Sequence, residues 1–105
     1  MDAALRALAD GTRRRILALV WNHERTAGEI AGHFSLTRPA ISQHLSVLLE
    51  SELISVRREG TRRFYHANRE AIDRLRAELG SFWDDRMHRL KAAAERAEKH
   101  KRKRR

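Results

Sequence analysis

A chain of 105 residues, 41% apolar and only 6% aromatic, can fill one modest core and not two, and so thin an interior gains from pairing with a second copy. Lysine and arginine total 23 against 14 acids, a balance of +9 that favours a polyanionic partner. The absence of cysteine excludes disulfides, thiolate metal sites and cysteine nucleophiles; no apolar run reaches the ~18 residues of a membrane span, and no basic-then-apolar leader is seen, which points to the cytoplasm.

Ala4, Leu5 and Leu8 recur at helical spacing until Asp10-Gly11 breaks the pattern and offers a cap. Ile16, Leu17 and Val20 then mark a second helix from Thr12 to Trp21, with Arg14 on its other face. Thr26, with Glu29 three residues on, is a capping box for a third helix expected to run to about Phe34. After the polar turn Ser35-Leu36-Thr37, Pro39 suits the first turn of a fourth helix. Its inner stripe is Ile41, Leu45, Leu48, Leu49 and Leu53; its outer face is Arg38, Ser42, Gln43 and Ser46.

The period then changes. Ile54 and Val56 lead into Arg57-Arg58-Glu59-Gly60-Thr61-Arg62-Arg63 and out to Phe64 and Tyr65, two strands joined at Gly60 as a hairpin with an arginine-rich tip. From Asn68, a capping residue, a long helix carries Ile72, Leu75, Leu79, Phe82, Trp83, Met87, Leu90, Ala94 and Ala97 along one seam, offset by one residue after Phe82. Gly80 weakens this helix locally by about 1 kcal/mol relative to alanine. Lys99, Lys101, Arg102, Lys103, Arg104 and Arg105 follow without an acid, so 99–105 reads as a disordered basic tail and residues 1–98 keep about +3.

A short capped helix, a brief turn and a helix with an apolar inner stripe and a polar outer face form the helix-turn-helix pattern, and the hairpin adds a wing. The expected fold is therefore mainly α with a β-hairpin wing, a winged helix-turn-helix over residues 1–98. Base edges in the major groove are read by side chains that donate and accept hydrogen bonds. Arg38 suits a guanine edge or a phosphate, Gln43 an adenine edge, Ser42 and His44 a base or the backbone, and Thr37 a phosphate at the helix start. The hairpin arginines repel one another unless an anion meets them.

Leu8-Ala9-Asp10-Gly11-Thr12-Arg13 with Ile16-Leu17, then Thr37-Arg38-Pro39-Ala40-Ile41-Ser42-Gln43-His44-Leu45 with Leu48, then Arg58-Glu59-Gly60-Thr61-Arg62 leading into Phe64-Tyr65, resemble the ArsR (arsenical-resistance) family of winged-helix repressors. The resemblance implies a homodimer joined through its first and last helices, repressing transcription from a partly palindromic operator in double-stranded DNA. It assigns operator contacts to Thr37, Arg38, Ser42, Gln43 and His44 and, in the wing, to Arg57, Arg58, Thr61 and Arg62, with Arg63 beside them. Leu5, Leu8, Leu75, Leu79, Phe82, Trp83, Met87 and Leu90 are the expected dimer contacts. Two departures stand out. Where metal-sensing members carry paired cysteines this chain has Ile30-Ala31-Gly32-His33, and its last helix reads Phe82-Trp83-Asp84-Asp85-Arg86-Met87 without their ligands, as in a cysteine-free branch. Glu52 stands where the family has a helix-ending glycine; because a left-handed glutamate costs ~1 kcal/mol or more, that helix end is expected to be shaped differently.

Competing uses of the same residues are weaker. Asp84 and His88, one turn apart, suit a divalent ion together with Asp85, although a hydrated ion pair is the commoner use of that spacing. Ser42 and His44 point away from each other on a helix, and no other set suggests an enzyme or a cofactor. The Phe82, Trp83, Met87 and Leu90 cluster reads as dimer core before it reads as a cavity for a small apolar inducer. A protein-docking winged helix with a nucleic-acid-binding tail, or a metal-responsive repressor, are the alternatives.

Overall fold

The computed structural model describes residues 1–103, the side chains of the last three excepted. From the second onward, its helices begin where a short polar side chain takes up an amide left free by the first turn. After α1 (Asp2–Leu8), α2 (Gly11–Leu19) starts at Asp10, whose carboxylate accepts the Arg13 N–H. The capping box opens α3 (Ala27–Ala31): Thr26 Oγ accepts the Glu29 N–H and the glutamate reaches back to the Thr26 N–H. Thr37 Oγ accepts the Ala40 N–H at the start of α4 (Arg38–Glu50), where Pro39 has no amide to leave unpaired. Asn68 does the same for α5 (Arg69–Lys103) through the Ala71 N–H.

Arginines finish two of these helices. The last carbonyls of α1 are taken by the next helix, Arg13 donating to Arg6 and Ala7 and Arg14 to Leu8. Arg25 Nε closes α2 on the Leu19 carbonyl, so that helix stops at Leu19 rather than at Trp21. The third helix also ends early, at Ala31 rather than near Phe34. Beyond Gly32 the His33 and Phe34 amides reach back only three residues, to Ile30 and Ala31, and the chain tightens into a turn.

Between α4 and α5 run β1 (Ile54–Glu59) and β2 (Arg62–Ala67), antiparallel with Glu59 opposite Arg62 and Ile54 opposite Ala67. Only Gly60 and Thr61 lie between them, and Gly60 has φ +61 at the first central position, which glycine enters without steric cost. Arg25 adds a bridge that the sequence reading lacked: it exchanges both backbone hydrogen bonds with Tyr65, tying the hairpin to the segment after α2.

The turn out of α4 overturns the expectation for Glu52. That residue sits at φ +64, and its N–H donates to the Leu49 carbonyl while the Leu53 N–H donates to Leu48. This is the paired hydrogen bonding of a Schellman ending with glutamate in the glycine place. Leu48 and Leu53, both buried, occupy the positions whose apolar contact accompanies that ending, and their burial offsets the strain at Glu52.

The chain divides into two units, residues 1–73 and residues 74 onward. The first holds a core of Ala7, Ile16, Val20, Ile30, Ile41, Leu45, Leu48, Leu53 and Ile54, all at most 2% exposed. The second is a single helix, along which Phe82, Trp83, Met87 and Leu90 are all exposed. Its helical backbone runs to Lys103, into the stretch read as a basic tail from 99; residues 104–105 of that tail lie outside those described. Among the described residues no helix is long and apolar enough to cross a membrane.

Candidate nucleic-acid interface

Two elements of the first unit carry polar side chains outward. On α4 the burial of Ile41, Leu45 and Leu48 turns Arg38, Ser42, Gln43 and Ser46 to solvent. Neither Ser42 nor Gln43 makes a side-chain hydrogen bond among the described residues, so their donors and acceptors remain open. Arg38 packs its guanidinium over Gly28, where an added Cβ would lie 3.3 Å from Nη1. Thr37 is exposed, but its hydroxyl oxygen already accepts from Ala40. His44 differs from its neighbours: it is half-buried, with Nδ1 3.4 Å from Nη1 of Arg13.

The hairpin sorts its arginines by face, because successive strand residues point to opposite sides. One face begins with buried Ile54, Tyr65 and Ala67 and ends at the tip with Arg58 directly opposite Arg63. Like charges so placed repel, and neither residue has a carboxylate partner among the described residues. Arg57 and Arg62 lie on the other face. Arg57 is engaged inside the chain: Nε is 2.9 Å and Nη2 3.3 Å from the two Glu24 carboxylate oxygens, and Nη1 is 2.9 Å from Glu59. Its cation also stacks 4.7 Å from the Phe64 ring centre, which Arg62 approaches at 5.3 Å. The hydrogen bond from Arg57 holds the Glu24 carboxyl below its ordinary value, and the Arg57 guanidinium is in turn held more firmly protonated. Thr61 stands exposed at the tip.

Sequence alone groups Arg57 with the outward arginines and does not single out Glu24 and Arg25, which fix the wing, or Arg13, which meets α4. The only local sign for Arg13 and Arg14 was their place just beyond a helix end, where cations find free carbonyls.

Of the apolar contacts expected between copies, Leu5, Phe82, Trp83, Met87 and Leu90 are exposed, Leu8 and Leu79 are half-buried, and Leu75 is buried. Asp84, Asp85 and His88 are exposed on α5, and among the described residues no three potential ligands gather around a common point.

Residues 10–56 match the family described as bacterial regulatory protein, arsR family. The chain is 43% identical over 82 residues to the HTH-type transcriptional regulator Rv2034 of Mycobacterium tuberculosis, covering 78% of this chain and 77% of that one. It is also 43% identical over 68 residues to the transcriptional repressor SdpR of Bacillus subtilis, covering 65% and 76%. Among solved structures, a possible transcriptional regulator for arsenical resistance superposes with TM-score 0.70 at 41% identity, over 88% of this chain and 95% of that one. The homodimeric winged helix-turn-helix DNA-binding domain of Mb0332 from Mycobacterium bovis superposes with TM-score 0.64 at 34% identity, over 79% and 77%.

Proposed function

The chain belongs to the arsR family of bacterial regulatory proteins, and from that membership we propose that it is a repressor acting as a homodimer on a partly palindromic operator. Proteins of this family are transcriptional regulators, not enzymes. In this reading α4 enters the major groove, with Gln43 on an adenine edge and Arg38 on a guanine edge or phosphate. Ser42 and His44 meet bases or backbone, and Thr37 lies against a phosphate. Arg58, Thr61, Arg62 and Arg63 follow the adjacent backbone, while Arg57 holds the wing in place.

The observation that carries the reading is the wing tip. Arg58 and Arg63 face each other, and among the described residues neither has a counter-charge; the α4 face in the same unit carries Ser42 and Gln43, which have no partner among those residues. A phosphate backbone resolves the first, and base edges satisfy the second. Pairing of two copies through Leu5, Leu8, Leu79, Phe82, Trp83, Met87 and Leu90, but not through Leu75, which is already buried in the single chain, sets two recognition helices about one duplex turn, ~34 Å, apart. The homodimeric Mycobacterium bovis relative and the exposed apolar side chains of α5 support that pairing. A small apolar inducer would lodge among Phe82, Trp83 and Met87 and loosen the pair. Action on chromosomal DNA places the protein in the cytoplasm.

Selection of bound duplexes from a random pool, followed by sequencing, tests the proposal. A dyad-symmetric consensus is expected; recovery of sequences no different from the input pool overturns it.

A further inference from the structure

We propose that the cleft walled by the second half of α2, the segment after it and the turn that follows α3 binds a small organic carboxylate. The cleft has a volume of about 380 Å³. Its polar lining is Arg15, Arg25, His23, His33 and Asn22, with no carboxylate. Every ionisable group there is thus neutral or positive, in a body whose overall charge is only about +3.

The two guanidiniums are held in place but not neutralised. Arg15 stacks on the Phe34 ring at 4.6 Å from its centre. Arg25 is fixed by Nε donating to the Leu19 carbonyl at 2.9 Å, which leaves its two terminal amino groups for another acceptor. Neither forms an ion pair among the described residues, in contrast to Arg57 with Glu24 and Glu59. A guanidinium already fixed by stacking or a hydrogen bond loses less freedom on binding, and its planar fork matches a carboxylate.

Size and wall chemistry narrow the class further. At about 30 Å³ per water-sized group the cleft holds on the order of ten such groups, more than an inorganic anion fills. Ala18, Leu19 and Phe34 supply apolar wall for the remainder of the molecule. The fit is an anionic head on a flat or apolar body, as in an aromatic acid. None of the cleft residues belongs to the operator contacts proposed above, so this inference stands apart from that reading. Asn22, His23 and Arg25 nevertheless flank Glu24, the carboxylate that anchors the wing through Arg57.

Titration of the full chain with benzoate at constant ionic strength tests it, by calorimetry and by the NMR signals of His23 and His33. One site per chain is expected, with both histidine signals moving along a saturating curve. Arg15→Gln should weaken binding about tenfold, because a charge-assisted pair is lost, whereas Lys91→Gln, which removes the same charge from α5, should leave it unchanged. The full chain carrying Arg15→Gln must melt as the parent does, since Arg15 is exposed; Arg25→Lys, which keeps the charge but loses the fork, is the second variant and should also weaken binding. A linear, non-saturating response, or an equal loss with Lys91→Gln, overturns the proposal.

Discussion

Nη1 of Arg13 lies 3.4 Å from Nδ1 of His44, so one guanidinium joins the end of α1 to the middle of α4. Arginine only donates, so in this contact Nδ1 is the accepting side. The same side chain donates from Nε to Ala7 at 2.7 Å and from Nη2 to Arg6 at 3.0 Å. Removing it strands the Ala7 carbonyl and frees α4, while the Arg6 carbonyl keeps the Ala9 N–H. Arg13→Ala should lower stability by about 1–3 kcal/mol, and Arg13→Lys should restore part of the loss. Urea unfolding at fixed protein concentration reads the difference; an unchanged midpoint would show that the network is ornamental.

Arg57 and Arg58 are neighbours in the wing with opposite employment. Arg58 faces Arg63 and solvent, so Arg58→Ala should weaken binding to all duplexes alike and remove about one phosphate contact from the salt dependence. Arg57 is committed to Glu24, and its loss should act through the position of the wing. Arg57→Ala and Glu24→Gln should then have similar effects, with the double variant little worse than either. Gln43→Ala, by contrast, should relax base preference. Fluorescence anisotropy over a range of salt separates these outcomes, and a Glu24→Gln chain that binds like the parent would break the proposed link.

Local signals explain what could be read from the sequence. Thr26 with Glu29, Thr37 before Pro39, Asn68 and Gly60 each act on groups within a few residues, and each marks an element boundary in the structure. The stripe of Ile41, Leu45 and Leu48 likewise followed from helical period alone. The Glu24–Arg57 pair spans 33 residues, and the Arg25–Tyr65 bridge is a single residue with no period, so neither leaves a trace in its own neighbourhood. Glu52 failed for another reason. Its intrinsic preference was read correctly, but two buried leucines and two hydrogen bonds outweigh a cost of ~1 kcal/mol.

The wing anchor also sets a pH dependence. Bonding to Arg57 lowers the folded pKa of Glu24 from an ordinary value of 4.5, so its contribution is fully present above that value. It is lost as the pH falls below 4.5 and through the lowered folded value. Asp10, held down chiefly by the Arg13 amide, follows the same sign from 3.8. Stability measured between pH 6 and pH 3, a range of about three units around these values, should therefore fall toward acid. Glu24→Gln should flatten part of that fall; parallel curves for parent and variant would exclude Glu24 as a source.

Glycine should relieve the strain at the end of α4. With φ +64, the Glu52 side chain crowds its own backbone in a way that a glycine hydrogen does not. Part of the gain is offset because glycine is freer in the unfolded chain. Glu52→Gly is expected to stabilise by about 0.5–1 kcal/mol, and thermal unfolding should rise accordingly. A lower melting temperature would mean that the glutamate makes an attraction outweighing its strain.

The α5 seam offers the most direct separation of pairing from folding. Trp83 and Leu90 are 60% and 61% exposed within one chain, so a charge at Trp83 meets water in a lone copy but would be buried against apolar groups in the proposed pair. Trp83→Glu should therefore leave helical content nearly unchanged while shifting sedimentation toward monomers. Because two linked recognition helices bind far more tightly than one, operator affinity should fall by about 10²-fold or more, with affinity for an isolated half-site largely retained. Dimers of undiminished stability would place the interface elsewhere than the exposed aromatic face of α5.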